Sequence, residues 1–214
     1  MMARFSYAGF ASARRVVAIC AALCAVLGLS MAVCAAAPTK PLLPLPPNSI
    51  YHLQVPLTDQ NGRIFAIDDF RGKAVLISMF YSSCQFVCPR IVESLKRTEA
   101  GLPAELRKSV PVLMVSFDAA RDNSAALKEM ANERHLDESI WTLAHTDPRN
   151  TRKLAALLGV QYRELPSGDF NHTSVLILLD ADGRIVGNTF VLGEADPAFL
   201  KLVRKHAAPN ASGK

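Results

Sequence analysis

The hydrophobic pattern divides the chain into an apolar leader, a proline-rich spacer and a body of alternating strand-like and helix-like stretches. Within the body, residues 74–80, 110–117 and 175–179 are nearly unbroken apolar runs, as expected of strands covered on both faces. Residues 51–57 and 63–67 flank Asn61-Gly62, a hairpin signal, and residues 141–144 form a further short strand. Helical spacing follows the first run: Pro89 suits a first helical position, and Ile91, Leu95, Thr98 and Leu102 fall on one face. A second helix carries Leu127 and Met130, with Asp122 or Ser124 as its cap. Asp147-Pro148 opens a third helix, through Leu154 and Leu158 to a stop at Gly159. After the run at 175–179 the chain turns at Asp180-Ala181-Asp182-Gly183 into residues 184–190. Asp196-Pro197 then starts a last helix through Phe199, Leu202 and Val203.

Cys84 and Cys88 lie where the first core run gives way to the first long helix. Strand, helix, strand, helix, then a hairpin and a final helix, with paired cysteines after the first core strand, is a thioredoxin-like order. The expected fold is α/β, a central mixed sheet flanked by helices. A strand-to-helix turn is expected to expose both thiols, and the helix N-terminus favours thiolate over thiol.

The ends of the chain change the picture of where this body works. Residues 16–37 are 22 positions without a charge, preceded by Arg14-Arg15. That is longer than the core of a cleaved signal and long enough to span a bilayer, and the arginines predict a cytoplasmic N-terminus and an exported body. Ala35-Ala36-Ala37 also suits a signal peptidase, so residues 1–37 are a membrane anchor facing the periplasm or a cleaved signal, with length favouring the anchor. Residues 38–50, with Pro38, Pro41, Pro44, Pro46 and Pro47, form a semi-rigid linker. Ten such residues reach about 30 Å. The domain occupies 51–207, and 208–214 form a small polar tail. Of the formal net charge of +5, Arg4, Arg14 and Arg15 supply three before the first acid. The mild remainder, with no basic–aromatic clustering, excludes nucleic acid as a partner.

Five cysteines are present. Cys20, Cys24 and Cys34 lie in the apolar leader, where a free thiol acts as a small hydrophobe. Cys84 and Cys88 are the cysteines of the exported body, and a disulfide between them would close almost no loop, so chemistry rather than stability is their expected role. Two chemistries stay open on the residues alone: a redox pair or a soft-metal chelate. A thioredoxin dithiol has two intervening residues where this chain has three, and a related peroxidase would want Pro and Thr before a single attacking Cys. Two thiolates leave room for a third ligand. His172, just before the run at 175–179, is the candidate, against the alternative of an ordinary loop histidine. Two thiolates and an imidazole favour copper, with zinc the rival. His52, His135 and His206 are read as solvent-facing, His145 as a strand-end residue that could face the pocket, and Tyr81 as packing.

Cys84-Gln85-Phe86-Val87-Cys88-Pro89, the distant His172, the Asp182-Gly183 turn and Val115-Ser116-Phe117-Asp118-Ala119-Ala120-Arg121-Asp122 together resemble the Sco/SenC family of membrane-tethered copper proteins, over residues 51–207. The resemblance implies copper, as Cu(I) or Cu(II), held by Cys84, Cys88 and His172, with Asp118 matching an acidic residue near the pocket. It also implies delivery of copper to the binuclear centre of cytochrome c oxidase subunit II, or reduction of that subunit's cysteines. Other exported copper proteins are the wider client class. An exported thiol–disulfide oxidoreductase acting through Cys84 and Cys88 is the alternative. The chain departs from the family at Gln85-Phe86, where Pro-Asp is usual, at Asn123-Ser124, where Thr-Pro often follows, and at Thr173, where Ser is common.

Overall fold

In the computed structural model, residues 43–208 are described; the expected span at 16–37, the start of the linker and the tail from 209 lie outside the described residues. The apolar runs become the middle of one sheet. Strand β3 (Val75–Phe80) is buried at every position, as is β4 (Val112–Ser116). Ser78 sits in the middle of β3 at no cost in unmet polarity, because its hydroxyl donates to the Val175 carbonyl at 2.8 Å. Around this pair the chain supplies β1 (Pro56–Asp59), β2 (Ile64–Ala66), β5 (Trp141–His145), β8 (Leu176–Leu179) and β9 (Ile185–Thr189), in the order β2-β1-β5-β4-β3-β8-β9. Strands β3, β4 and β5 are parallel, while β8 runs antiparallel to β3 and β1 antiparallel to β5.

Helices α1 (Cys88–Ala100), α2 (Ala104–Arg107), α3 (Ser124–Glu133), α4 (Pro148–Leu158) and α5 (Pro197–Ala207) accompany the sheet. Ile91, Leu95 and Thr98 of α1 are buried, as their spacing requires. Asp147 and Asp196 cap α4 and α5 by accepting two backbone N–H groups each, and Gly159 ends α4 at φ 68. No helix among the described residues is long and apolar enough to cross a membrane. The mixed sheet with flanking helices is the thioredoxin-like fold the element order predicts.

Three local expectations are corrected. The stretch at 51–57 is not one strand: Ser49 Oγ accepts from Tyr51 N at 3.1 Å, the chain winds into a 3₁₀ turn at Ile50–His52, and pairing begins only at Pro56. The cap of α3 is Asn123, accepting from Ala126 N at 3.0 Å. Its rivals are occupied elsewhere, Asp122 by Ser82 and Ser116, and Ser124 by donation to the Asp59 carbonyl. Finally, β6 (Tyr162–Glu164) and β7 (Phe170–His172) pair as a separate two-stranded ribbon that the hydrophobic pattern does not announce.

Candidate metal centre

The β3–α1 turn positions the two cysteines. Val87 stands at the N-cap of α1 with no side-chain oxygen to offer, Pro89 has no N–H, and the amides of Arg90 and Ile91 both reach the Val87 carbonyl. The amide of Cys88 is the donor left over, and it points at the sulfur of Cys84, 3.4 Å away. Cys84 therefore takes the place of a capping side chain at the positive end of the helix.

Both thiols are buried, Cys84 at 7% exposure and Cys88 at 1%, against the expectation that the turn would expose them. Tyr81, hydrogen-bonded to Cys84, is buried with them, at 4% exposure. The two sulfurs divide their protons unequally. Donation from the Cys88 thiol, followed by the backbone N–H groups of Cys88, Phe86 and Val87, brings Cys84 down to about 4 despite its burial. Cys88 is pushed well above the ordinary thiol range by that same contact with Cys84, by burial, and by the charges of Cys84 and Asp122. Tyr81 is pushed up to about 12, first by burial and then by its hydrogen bond to Cys84. The reduced site thus holds one thiolate, Cys84, and one thiol, Cys88.

His172 ends β7 rather than lying in an open loop, and it is half-buried. Its Nδ1 lies 3.2 Å from the Thr173 carbonyl and 3.4 Å from the Ser174 hydroxyl, two contacts that fix the orientation of the ring. Rings from separate elements surround the imidazole. Tyr81 meets it edge-on at 5.9 Å between centroids and Phe117 at 4.9 Å, while Phe170 packs on both of these, at 5.2 and 5.1 Å. Tyr162 stacks on Phe117 at 5.1 Å.

The three expected residues converge. Ligand atoms of Cys84, Cys88 and His172 all lie within 4.8 Å of one another. Metal–sulfur and metal–nitrogen bonds of about 2.0–2.3 Å let one ion bridge ligand atoms up to about 4.6 Å apart. The donor set therefore fits a single soft ion, with a shift of tenths of an ångström completing it. Two sulfurs and one imidazole nitrogen suit copper in either oxidation state better than a hard cation. The centre opens into a cavity of about 520 Å³ whose wall includes Cys84, His172, Tyr81 and Phe170. Gln85 and Phe86 form its lip, and Phe86 is 84% exposed.

Residues expected nearby fall elsewhere. Asp118 does not line this cavity; it is buried behind Phe117, in an ion pair with Arg121, and borders a neighbouring hollow. His145 is 3.5 Å from Ser124 Oγ, and His52 and His135 are exposed, so none of these faces the cysteines. His206 is half-buried on α5. Tyr81 does more than the packing expected of it, since it hydrogen-bonds to Cys84, and Phe170 and Tyr162 belong to the site as well. A cluster of aromatics at 162 and 170 around a candidate ligand was the available signal.

Comparison with known proteins agrees with this geometry. The SCO1/SenC family model matches residues 48–206. The chain is 25% identical over 154 residues to an SCO2-like protein of Rickettsia conorii, a match covering 69% of this chain and 73% of that one. The solved structure of Bradyrhizobium japonicum ScoI with copper bound superposes at a TM-score of 0.60 and 23% identity, covering 71% of this chain and 96% of that one. BsSco, described with a disulfide switch as a member of the Sco family of cytochrome c oxidase assembly proteins, gives 0.61 at 18% identity, over 72% and 91%. At these identities the structural likeness is one of fold.

Proposed function

The chain belongs to the SCO1/SenC family, and from that premise we propose that it carries one copper ion on Cys84, Cys88 and His172 for the assembly of cytochrome c oxidase. Its client is the binuclear copper site of subunit II or another exported copper protein. The observation that carries this reading is the convergence of two sulfurs from one turn and an imidazole from a separate ribbon, all within 4.8 Å, with Cys84 and His172 at the wall of an open cavity. A cargo ion needs strong, soft ligands and also a path out, and the cavity supplies the path. The uncharged segment at 16–37 would hold the body at the outer face of the cytoplasmic membrane, with the proline linker giving reach to a membrane-embedded client.

A second reading draws on the unequal protonation of the two sulfurs. A Cys84 thiolate attacks one sulfur of a client disulfide, forming a mixed disulfide and releasing one client thiolate. Cys88 then gives up its proton and attacks Cys84, closing the Cys84–Cys88 disulfide and freeing the second client thiol. The client is reduced by two electrons and this chain oxidised. The two readings part at His172, which the metal requires and the exchange does not. Copper transfer to, and disulfide reduction of, a subunit II copper domain by wild type and His172→Ala separates them. Loss of transfer with reduction intact supports delivery; equal performance of the variant in both assays supports exchange.

A further inference from the structure

The ligands of the metal centre ride on two pieces of chain that share no β-ladder. Cys84 and Cys88 belong to the β3–α1 turn and His172 to the β6–β7 ribbon, which pairs only with itself. The turn after β4 joins them through two consecutive residues that reach in opposite directions. Asp122, fully buried, accepts from the backbone N–H of Ser82 at 2.9 Å and from the Ser82 hydroxyl, two residues before Cys84. Arg121 donates through Nη2 to the Gly168 carbonyl at the tip of the ribbon. Its guanidinium also lies 5.7 Å from the ring centroid of Phe170, two residues before His172.

Both arms have a fixed base. Ser116 Oγ, at the end of β4, donates to Asp122 at 2.5 Å, the Asp122 amide donates to the Asp118 carbonyl at 2.9 Å, and Arg121 Nε pairs with the buried Asp118 carboxylate. Gly168 has φ +84, and a Cβ there would stand 3.3 Å from Arg121 Nη1, so glycine both forms the turn and admits the guanidinium. Hydrogen bonds from a charged donor are stronger than neutral ones, so the Arg121 arm weighs heavily on a ribbon otherwise held by ring packing and by the Phe170 backbone N–H at the Tyr81 hydroxyl.

We infer that the 118–122 turn is a brace, with Arg121 and Asp122 as positioning residues that set the separation between the His172 imidazole and the two sulfurs. The inference rests on the proposed copper site for what is positioned, while the brace itself is present without metal. Arg121 is the position to test, since its side chain is 44% exposed and its loss leaves no buried void.

In reduced, metal-free Arg121→Gln, amide exchange across β6–β7 should quicken by about tenfold or more, with exchange in α5 unchanged. In the same variant Cu(II) affinity should fall about tenfold with an altered thiolate-to-copper absorption, while Cu(I), which two sulfurs can hold, changes less than about twofold. Arg121→Lys, keeping the charge but losing the fork, should recover part of both. Ribbon exchange matching wild type overturns the brace, whether or not the protein binds copper. Faster exchange with Cu(II) binding unchanged overturns the positioning role.

Discussion

The sulfur of Cys84 receives the backbone N–H of Cys88 at 3.4 Å, so a thiolate closes the start of α1 where most helices use an oxygen. The proposed copper ligand is thereby also the cap that orders its own turn. Reduction, ionisation and local structure are coupled at one atom.

This coupling has a definite pH sign. Cys84 falls from the ordinary 9.0 to about 4, so the fold favours its ionised form. The resulting stability is fully present above the unfolded thiol pKa and is lost as pH falls through about 4. Reduced, metal-free protein should still show one thiolate by ultraviolet absorbance and rapid alkylation at about pH 6, where an ordinary thiol is protonated. Cys88→Ala removes the S–H donor, and the alkylation onset should move upward in pH. An onset near the ordinary thiol value in the wild type would contradict the assignment.

Metal uptake should register the same asymmetry. With Cys84 already ionised and Cys88 held as the thiol, loading Cu(I) at about pH 8 should release about one proton, from Cys88. Calorimetry in buffers of different ionisation enthalpy gives the count. Release of two protons would mean that both sulfurs start protonated.

The Asp182-Gly183 turn makes a prediction about stability alone. Gly183 has φ +77, and a Cβ there would lie 2.5 Å from the ring of Tyr51, itself fully buried. Gly183→Ala should cost about 2–4 kcal/mol from left-handed strain and overpacking together. Urea unfolding measures the loss, and copper stoichiometry in the folded fraction should be unchanged.

The sequence made the frame legible where one residue type has one physical use. Runs such as 74–80 can only be buried, Asp147-Pro148 and Asp196-Pro197 can hardly be other than helix starts, and Asn61-Gly62 turns a hairpin. The cysteines and His172 were legible as soft donors at turns. The β6–β7 ribbon was not, because its three-residue strands have no fully buried position and carry no apolar period. The ring cluster was hidden for another reason: Tyr81, Phe117 and Phe170 come from three elements, and only the folded chain stacks them. Asp122 was misjudged as a cap because its true partners, Ser82 and Ser116, are a matter of tertiary contact.

Tethering is testable directly. The uncharged segment at 16–37 exceeds a signal core, so N-terminal sequencing of protein from its native membranes should find it retained. A mature chain starting near Pro38 would make the body a free exported protein and remove the tethered form of delivery.

The most direct test of the copper centre is binding of Cu(I) and Cu(II) to the reduced body, wild type against His172→Ala, with visible absorption recorded alongside. One copper per chain should bind the wild type, either Cys→Ser change should abolish uptake, and His172→Ala should weaken Cu(II) far more than Cu(I). Unchanged affinity for both oxidation states in His172→Ala would contradict the three-ligand site.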